Sequence, residues 1–446
     1  MSDDTLERLQ SLLKKATALG ADAADGVYLR QHSLSHAQRL GEIENLERSE
    51  NEDLGLRVFV GKQQAVVSSS DQSPDALDAL AERAVAMAKA VPEDEFCGLA
   101  EPDQLSAANP EALEIFDATE PEAETLIDWA KSAEGAAMAV DGITNSEGAE
   151  ADWSQAEVAL AATNGFTGTY RGSSFSVSAC VLAGEGTAME RDYDYATAVF
   201  MDDMEDPEEI GRRAGERTIR RLNPRKAESA KVPVVYEPRV SNSMVRHFAG
   251  AINGGSIARG ISFLKDRMGE KIFSDEISII DDPHRPRGLA SKPFDAEGLA
   301  NDPIAFIEDG VLTQWVLDLR SARQLGLASN GRASRGTSSP PGPSTTNLHM
   351  TAGSIPPDAL IGEIDDGFYV TDMMGFGVNG VTGDYSRGAS GFWIENGKLA
   401  DPVSEMTVAG NLKDMFLNLT PANDLEFRYG TNAPTLRIDG MTVAGS

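Results

Sequence analysis

Apolar residues recur at helical spacing near the start of the chain. This spacing predicts an amphipathic helix, with Asp3 and Asp4 favouring its N-terminus and Gly20 its end. The apolar positions are Leu6, Leu9, Leu12, Leu13 and Ala16. Strand-like residues then flank a short loop at 61–64, which predicts a β-hairpin over 56–67.

Capping signals predict two further helices in the first half. Ser73 followed by Pro74 matches an N-cap and a first helical position, and the Ala-rich run after them ends near Ala90. The run TEPE at 119–122 forms a capping-box pattern, which predicts a helix reaching about residue 140.

Strict alternation of apolar and polar residues dominates 154–200. It predicts a long antiparallel meander, with Asn164 and Gly165 at one turn. The acidic run 202–207 then leads into another helix. That helix carries Ile210, Ala214 and Ile219.

The order strand, acidic linker, Pro and helix occurs twice, at 64–90 and at 196–222. The repeat predicts an internal duplication of a β-hairpin–helix unit. The alternative is a coincidence between two ordinary strand–Pro–helix joints. Both interpretations fit the spacing.

Residue composition changes near position 226, which predicts an N-terminal α+β domain at 1–226 and a β-rich C-terminal domain at 227–446. Helical spacing in the second part is confined to 241–252 and 318–325. The Gly/Ser/Pro-rich run 326–346 predicts a long loop, and such loops in compact domains are usually functional or disordered. Hairpin turns are predicted at 308–310, 395–397 and 439–440.

Charge and cysteine content restrict the class of protein. The formal net charge of −32 repels phosphate backbones, so direct nucleic-acid binding is not expected. Only two cysteines are present: Cys97, in an acidic stretch that predicts exposure, and Cys180, on a predicted strand. This usage favours a reducing compartment, and no signal peptide or membrane span is predicted. A cytoplasmic location is therefore expected.

Chemical motifs are few. None of the five histidines begins an H-E-x-x-H motif, and His32 and His36 are interpreted as exposed polar residues rather than ligands. The run GFGVNG at 375–380 matches G-x-G-x-x-G, but turn and strand residues follow it, so a dinucleotide site is not expected. The chain has no G-x-S-x-G elbow. The paired carboxylates are interpreted as solvated turn residues: Asp202–Asp203, Asp281–Asp282 and Asp365–Asp366.

Three long runs resemble the TldD/PmbA family, whose members have been called modulators of DNA gyrase. They are EDLGLRVFVGK at 52–62 with SSSD at 68–71, NGVTGDYSRGASGFWIENG at 379–397, and PVSEMTVAGNL at 402–412. The last two resemble the PmbA (TldE) branch. The resemblance implies an α+β N-terminal region and a β-rich C-terminal domain. It also implies a peptidase, in which a TldD chain binds zinc through an H-E-x-x-x-H helix and a later Cys. The TldD and TldE chains together form a chamber that admits unfolded peptides.

This sequence departs from that zinc pattern. By alignment, Arg246 stands at the first ligand position, His247 at the Glu position and Ala251 at the last ligand position. No Cys occurs near 377–379. Arginine offers no lone pair to zinc, and a single histidine does not supply the three protein ligands of a catalytic site. We therefore predict no catalytic residue, metal ligand or cofactor in this chain, and expect zinc in a TldD-type partner.

The resulting hypothesis is a TldE-type subunit of a metallopeptidase acting on unfolded peptides. Arg332, Asn379, Asp384 and Arg387 are the predicted peptide- or partner-facing residues, because they lie in the matched or Gly-rich runs. Two alternatives remain open at this point. One is a stand-alone peptidase with a nucleophile such as Cys97 or with unconventional metal ligands. The other is a homodimeric regulatory or scaffold protein.

Overall fold

The computed structural model describes residues 3–107 and 110–445. Its first half begins with a helix, a three-stranded meander and a second helix. These elements are α1 (Asp3–Ala18), β1 (Ala23–Arg39), β2 (Glu42–Val60), β3 (Gln63–Ser69) and α2 (Pro74–Ala88). Ser73 caps α2 by accepting a hydrogen bond from the Ala76 backbone N–H, as its sequence predicts.

The next segment repeats this order. It contains α3 (Ala123–Met138), β4 (Ile143–Ala162), β5 (Thr167–Ala183), β6 (Glu190–Ala198) and α4 (Pro207–Arg220). The repeated unit is therefore helix, three strands and helix, which is larger than the predicted β-hairpin–helix unit. The predicted capping box at 119–122 is wrong, because α3 begins only at Ala123 and the Glu122 side chain makes no capping bond.

The six strands form one antiparallel sheet in the order β3-β2-β1-β4-β5-β6. Alternation along β1 decides what each face of the sheet contacts. Ala24, Tyr28 and Leu34 pack in the two clusters that contain residues of α1 to α4. Val27 points the other way, into a cluster with Phe294 of the second half. The sheet is thus covered by its helices on one face and by the C-terminal part on the other.

The second half is rich in short strands, as expected from its composition. Its elements up to residue 350 are β7 (Ala230–Tyr236), α5 (Pro238–Ala251), α6 (Gly254–Ala258), β8 (Ile279–Asp281), β9 (Ile304–Glu308), β10 (Val311–Leu312), α7 (Leu319–Leu325), β11 (Ala333–Ser334), β12 (Gly342–Pro343) and β13 (Leu348–Met350). The remaining elements are α8 (Pro357–Gly362), β14 (Asp366–Met374), β15 (Asp384–Glu395), β16 (Lys398–Asn411), α9 (Leu412–Leu417), β17 (Leu419–Pro421), β18 (Thr431–Asn432) and β19 (Leu436–Ala444).

A closed ring of strands organises this half. The strands pair in the order β16-β15-β14-β7-β19, and β16 pairs again with β19, so the ring has no free edge between them. A second sheet has the order β10-β9-β8-β13-β18. Helix α5 packs its apolar side chains Met244, Val245 and Phe248 into the core that the two sheets share. Its polar side is therefore held in a fixed position beside the ring.

Two of the three predicted hairpin turns are confirmed, between β9 and β10 and between β15 and β16. The turn predicted at 439–440 is wrong. Asp439 and Gly440 lie inside β19, where the pairing with β7 shifts register between Ile438 and Met441. Gly440 has φ +76°, so the turn-like residues form a β-bulge rather than a strand end. In the described parts of the chain, every helix is too short or too polar to cross a lipid bilayer.

Candidate functional site

The segment from β7 to α5 places the first group of predicted site residues. Pro238 stands in the first turn of α5, directly after Glu237, so the chain passes from strand to helix in one step. Helical spacing then turns Phe248 and Ala251 into the core and leaves Arg246 exposed. His247 lies between these faces and is partly buried.

His247 packs against the ring of strands. Its imidazole meets the Tyr385 ring edge-on, with 5.9 Å between ring centroids and 75° between planes. Burial, and then the charges of Arg387 and Arg246, lower the pKa of His247 to about 4. The ring is therefore neutral near pH 7. Its Nε2 is buried and has no hydrogen-bond partner.

The loop that would carry the family's cysteine lies beside this histidine. Val378 forms a β-bridge with Tyr385, and the Gly377 carbonyl accepts a hydrogen bond from the Ser386 backbone N–H. Gly377 approaches the strand so closely that an added Cβ would lie 1.7 Å from the Ser386 carbonyl oxygen. The fold thus brings His247 of α5 and the loop at 377–379 together at Tyr385.

The donor groups at this place do not fit zinc. Arg246 presents only N–H donors, Ala251 has no ligand atom, and its methyl group is 6% exposed in the core. His247 offers one nitrogen, where a catalytic zinc site takes three protein ligands. Across 3–107 and 110–445, no group of three or more His, Cys, Asp or Glu side chains is arranged to hold a metal ion.

Asn379 and Asp384 are exposed, and both shape the loop between β14 and β15. The Asn379 side-chain oxygen accepts hydrogen bonds from the backbone N–H groups of Val381 and Thr382, at 2.9 and 3.2 Å. Hydrogen bonds from Thr382 and Asn411 lower the pKa of the Asp384 carboxyl. Each residue therefore has a structural role in the loop and also presents polar atoms to solvent.

Arg387 lies on β15 two residues after Tyr385, so both side chains emerge from the same face of the strand. That face is the one that contacts His247 and α5. Arg387 is partly buried, and its Nε has no hydrogen-bond partner. The structure thus brings Arg387 together with two residues of the degenerate zinc pattern, an association that sequence spacing did not reveal.

An exposed apolar loop next to this site was not predicted from the sequence. The Phe376 side chain is fully exposed, and Met374 and Val381 are about half exposed. Phe376 stands in the glycine-rich run 375–380, and Met374 and Val381 flank that run, whose motif drew attention to the backbone rather than to side chains. A large apolar side chain between glycines was the signal that could have identified this surface.

Arg332 is fully buried, which contradicts the prediction that it faces a peptide or a partner. It is 0% exposed, pairs with the equally buried Asp281, and donates to the carbonyls of Asn330 and Asp302. The run 326–346 is ordered by these contacts and by the β11–β12 pair. The prediction of a solvated Asp281 is wrong for the same reason, since a guanidinium compensates its buried charge.

The residues after Arg332 dock onto the N-terminal sheet. Arg335 pairs with Asp25 of β1, which also pairs with Arg57 of β2, and all three side chains are at most 4% exposed. Glu297 completes the cluster, 3.8 Å from Arg57. We call these four side chains the interdomain ion cluster.

A glycine of the matched run permits this docking. A Cβ on Gly55 would lie 2.1 Å from the Thr337 carbonyl oxygen. Thr337 also donates its hydroxyl to Asp53 in the same run. The run EDLGLRVFVGK therefore serves contact between the two halves of the chain.

The structure contradicts the predicted exposure of Cys97 and His36, and it confirms the strand position of Cys180. Cys97 is buried rather than exposed, in a loop whose carbonyls at 96, 98 and 99 accept hydrogen bonds from Arg323. Burial raises its thiol pKa, so it is not an activated nucleophile. Cys180 lies on β5 as predicted. His36 is buried, with its Nε2 3.4 Å from the Gln38 side chain, so only His32 keeps partial exposure.

The fold defines a class: an α+β protein whose N-terminal sheet is covered by helices and whose C-terminal part is rich in β-strands. Sequence models of the PmbA/TldA metallopeptidase match domain 1 at 24–88, the central domain at 116–222 and the C-terminal domain at 229–445. The chain belongs to the PmbA/TldA metallopeptidase family.

Individual relatives agree with this assignment. The chain is 36% identical to metalloprotease PmbA of Escherichia coli O157:H7, over 98% of this chain and 96% of that protein. It is 37% identical to the PmbA homolog of Haemophilus influenzae, over 97% and 94%.

Solved structures share the fold. A protein of Bacteroides thetaiotaomicron named as a modulator of DNA gyrase has a TM-score of 0.92 and 27% identity, covering 100% of both chains. TldE from Thermococcus kodakarensis has a TM-score of 0.86 at 20% identity, covering 98% of this chain and 100% of that one. At that lower identity the likeness shows the fold alone.

Proposed function

We propose that this chain is the TldE-type subunit of a cytoplasmic two-subunit metallopeptidase, in which a TldD-type chain carries the catalytic zinc. The observation that carries the proposal is helix α5. Helix α5 and the loop at 377–379 both contact Tyr385, and the resemblance implies zinc ligands at the positions where this chain has Arg246 and Ala251. A family chain that keeps the architecture without the metal chemistry fits a subunit that binds or encloses substrate.

The proposed contribution of this chain is a surface for unfolded peptide. Extended peptides bind through backbone hydrogen bonds to strand edges and loops, with side chains entering neighbouring pockets. The β14–β15 loop offers exposed polar groups at Asn379 and Asp384 and an exposed apolar group at Phe376. The net charge of −32 argues against nucleic acid as the partner.

Reconstitution tests this proposal. This chain, a TldD-type chain from the same organism, and their mixture are assayed for cleavage of an unfolded peptide, with zinc content measured in each sample. We expect zinc in the TldD-type chain and cleavage by the mixture, with neither zinc nor cleavage for this chain alone. Stoichiometric zinc and chelator-sensitive cleavage by this chain alone would show a stand-alone peptidase. Failure to bind any TldD-type chain, with a stable homodimer instead, would show a scaffold.

Substitutions in the loop test the substrate surface within the assembled pair. Asn379→Ala and Asp384→Ala each remove hydrogen bonds that shape the loop, and we expect each to lower kcat/KM by about fivefold or more. Asp78→Ala, on the exposed side of α2, is the matched control. Unchanged cleavage by both loop variants would exclude this loop from the substrate surface.

A further inference from the structure

Two arginines near His247, Arg246 and Arg387, have no carboxylate partner in the described parts of the chain. Within 3–107 and 110–445, neither Arg246 nor Arg387 forms an ion pair. Other arginines do pair with carboxylates: Arg213 and Arg217 with Asp194, Arg221 and Arg239 with Asp192, and Arg428 with Glu205. Arg246 of α5 and Arg387 of β15 differ from these pairs because they lie near each other with neither charge compensated by a carboxylate of the described residues.

The two guanidinium groups are close enough to repel each other. Burial and the charge of Arg387 lower the pKa of Arg246, although Tyr195 opposes this. Both charges also disfavour protonation of His247. Like charges held together raise the free energy of the folded protein unless a counter-charge binds between them. An anion at this place would relieve the repulsion.

Unused hydrogen-bonding atoms surround the same place. Arg387 Nε and His247 Nε2 are buried without hydrogen-bond partners in the described chain. Most buried polar groups in proteins are paired, and an unpaired one destabilises the folded protein. These atoms are therefore positioned to be satisfied by a bound molecule.

The surroundings favour an organic carboxylate over a bare inorganic anion. Tyr195 lies near Arg246, and it packs on Tyr429 with ring centroids 5.3 Å apart. The exposed Phe376 belongs to the loop that meets Tyr385. Arginine binds the planar carboxylate through two parallel hydrogen bonds, and aromatic surfaces accept an adjoining apolar side chain.

We propose that Arg246 and Arg387 form a clamp for the C-terminal carboxylate of a peptide, with His247 Nε2 as an additional hydrogen-bonding group. The clamp occupies the place where zinc-bearing members of the family hold a cation. This rests on the proposed function only in taking peptide as the source of the carboxylate. Binding by the isolated chain needs neither the partner nor hydrolysis.

The direct test is binding of a fluorescein-labelled decapeptide, uncharged along its length and ending in Phe, to the full isolated chain. The peptide is made with a free C-terminal carboxylate and as the C-terminal amide. We expect the free carboxylate to bind at least about tenfold more tightly, the size expected from one charge-assisted hydrogen-bonded pair. Equal affinity for the two peptides would overturn the proposal.

Variants assign the preference to the clamp. Arg246→Gln and Arg387→Gln are each expected to abolish the carboxylate preference. Arg387→Lys, which keeps the charge and loses the planar fork, should retain part of it. Arg212→Gln on α4 is the matched control, because it removes an equal charge from an exposed arginine. Thermal melts establish that each variant is folded. A preference that survives both glutamine variants would contradict the clamp.

Two competition arms distinguish sources of the anion. Inorganic phosphate that displaces the peptide at millimolar concentration, with no difference between carboxylate and amide, would indicate a phosphate site and overturn the proposal. An amidated peptide with one internal Glu that binds as well as the free carboxylate would overturn the terminal assignment. Mass spectrometry of the recovered peptide reports any cleavage separately. A failed reconstitution with a TldD-type chain is thereby distinguishable from a failed clamp.

Discussion

The interdomain ion cluster gives a quantitative prediction for Asp25→Asn. Asp25 accepts hydrogen bonds from Arg57 and Arg335, with Arg57 Nε at 2.9 Å. Although burial raises its pKa, Arg335 and Arg57 together lower the pKa of Asp25 below the usual value, so the carboxylate is charged. Because burial raises the pKa of Glu297 to about 8, the four side chains near pH 7 carry two positive charges and the single negative charge of Asp25. The substitution leaves an excess positive charge among groups that are at most 4% exposed.

Breaking one partner of a buried pair typically costs about 3–5 kcal/mol. At the 2–4 °C per kcal/mol typical of units of 150–250 residues, the lower figure corresponds to a fall in Tm of roughly 6–12 °C. Differential scanning calorimetry measures this directly, and hydrogen exchange of 331–337 shows whether the docked segment opens first. Because this segment docks on the N-terminal sheet, we expect Asp25→Asn to lower the hydrogen-exchange protection of 331–337 before that of the strands in the sheet.

Two comparisons make the result interpretable. Asp78→Asn breaks the exposed pair with Lys15 and is expected to change stability by less than about 1 kcal/mol. The double variant Asp25→Asn, Arg335→Met removes one charge of each sign, so part of the lost stability should return. Equal melting temperatures for Asp25→Asn and Asp78→Asn would refute the argument that buried charge compensation joins the two halves.

Two further substitutions follow from the same contact. Gly55→Ala is expected to destabilise the protein by about 1–3 kcal/mol because the new methyl group meets the Thr337 carbonyl. Gly336→Ala is the control, because a Cβ at this position would meet nothing within 4 Å, and it should not destabilise the protein. Thermal melts compare the two variants. Burial raises the pKa of Glu297 to about 8 from an ordinary 4.5. The folded state then retains a proton on Glu297 that the unfolded chain loses. The contribution of Glu297 to the stability of the folded protein is therefore fully present below about pH 4.5 and is lost as the pH rises through 8. Glu297→Gln should remove this dependence, and parallel Tm–pH profiles for wild type and variant would contradict it.

Local patterns predicted the elements well where a single physical signal dominated. Helix α2 follows from Ser73 and Pro74, and the β15–β16 hairpin from its Asn-Gly turn, because capping and positive φ are properties of a few adjacent residues. A similar pair, Asp439 and Gly440, gave a wrong prediction of a turn at 439–440. There the pairing with β7 continues past the glycine, and that pairing depends on a strand more than two hundred residues away.

Burial of single residues was harder to predict. Cys97 stands in an acidic run, yet Arg323 draws the carbonyls around it into the interior. His36 alternates with polar residues on β1, yet α3 approaches that strand, and Glu134 of α3 bonds the Gln38 that lies beside it. In both cases the covering element lies far along the chain, and local hydrophobicity carries no information about it.

Four arginines show what separates a structural residue from a candidate site. Arg332 and Arg335 occur in a Gly/Ser-rich run that reads as a mobile surface, but Asp281 and Asp25 meet them from distant strands and hold them buried. Arg246 and Arg387 occur on a helix and a strand whose patterns predict ordinary secondary structure, but the fold brings them together with no carboxylate between them in the described chain. From the sequence, Arg246 could be assigned only to a position where the resemblance implies a zinc ligand. Its proximity to Arg387 is a tertiary fact, and it changes the meaning of the substitution. On the proposal made above, the arginine supplies a positive charge for an anion at a position where the resemblance implies a zinc ligand.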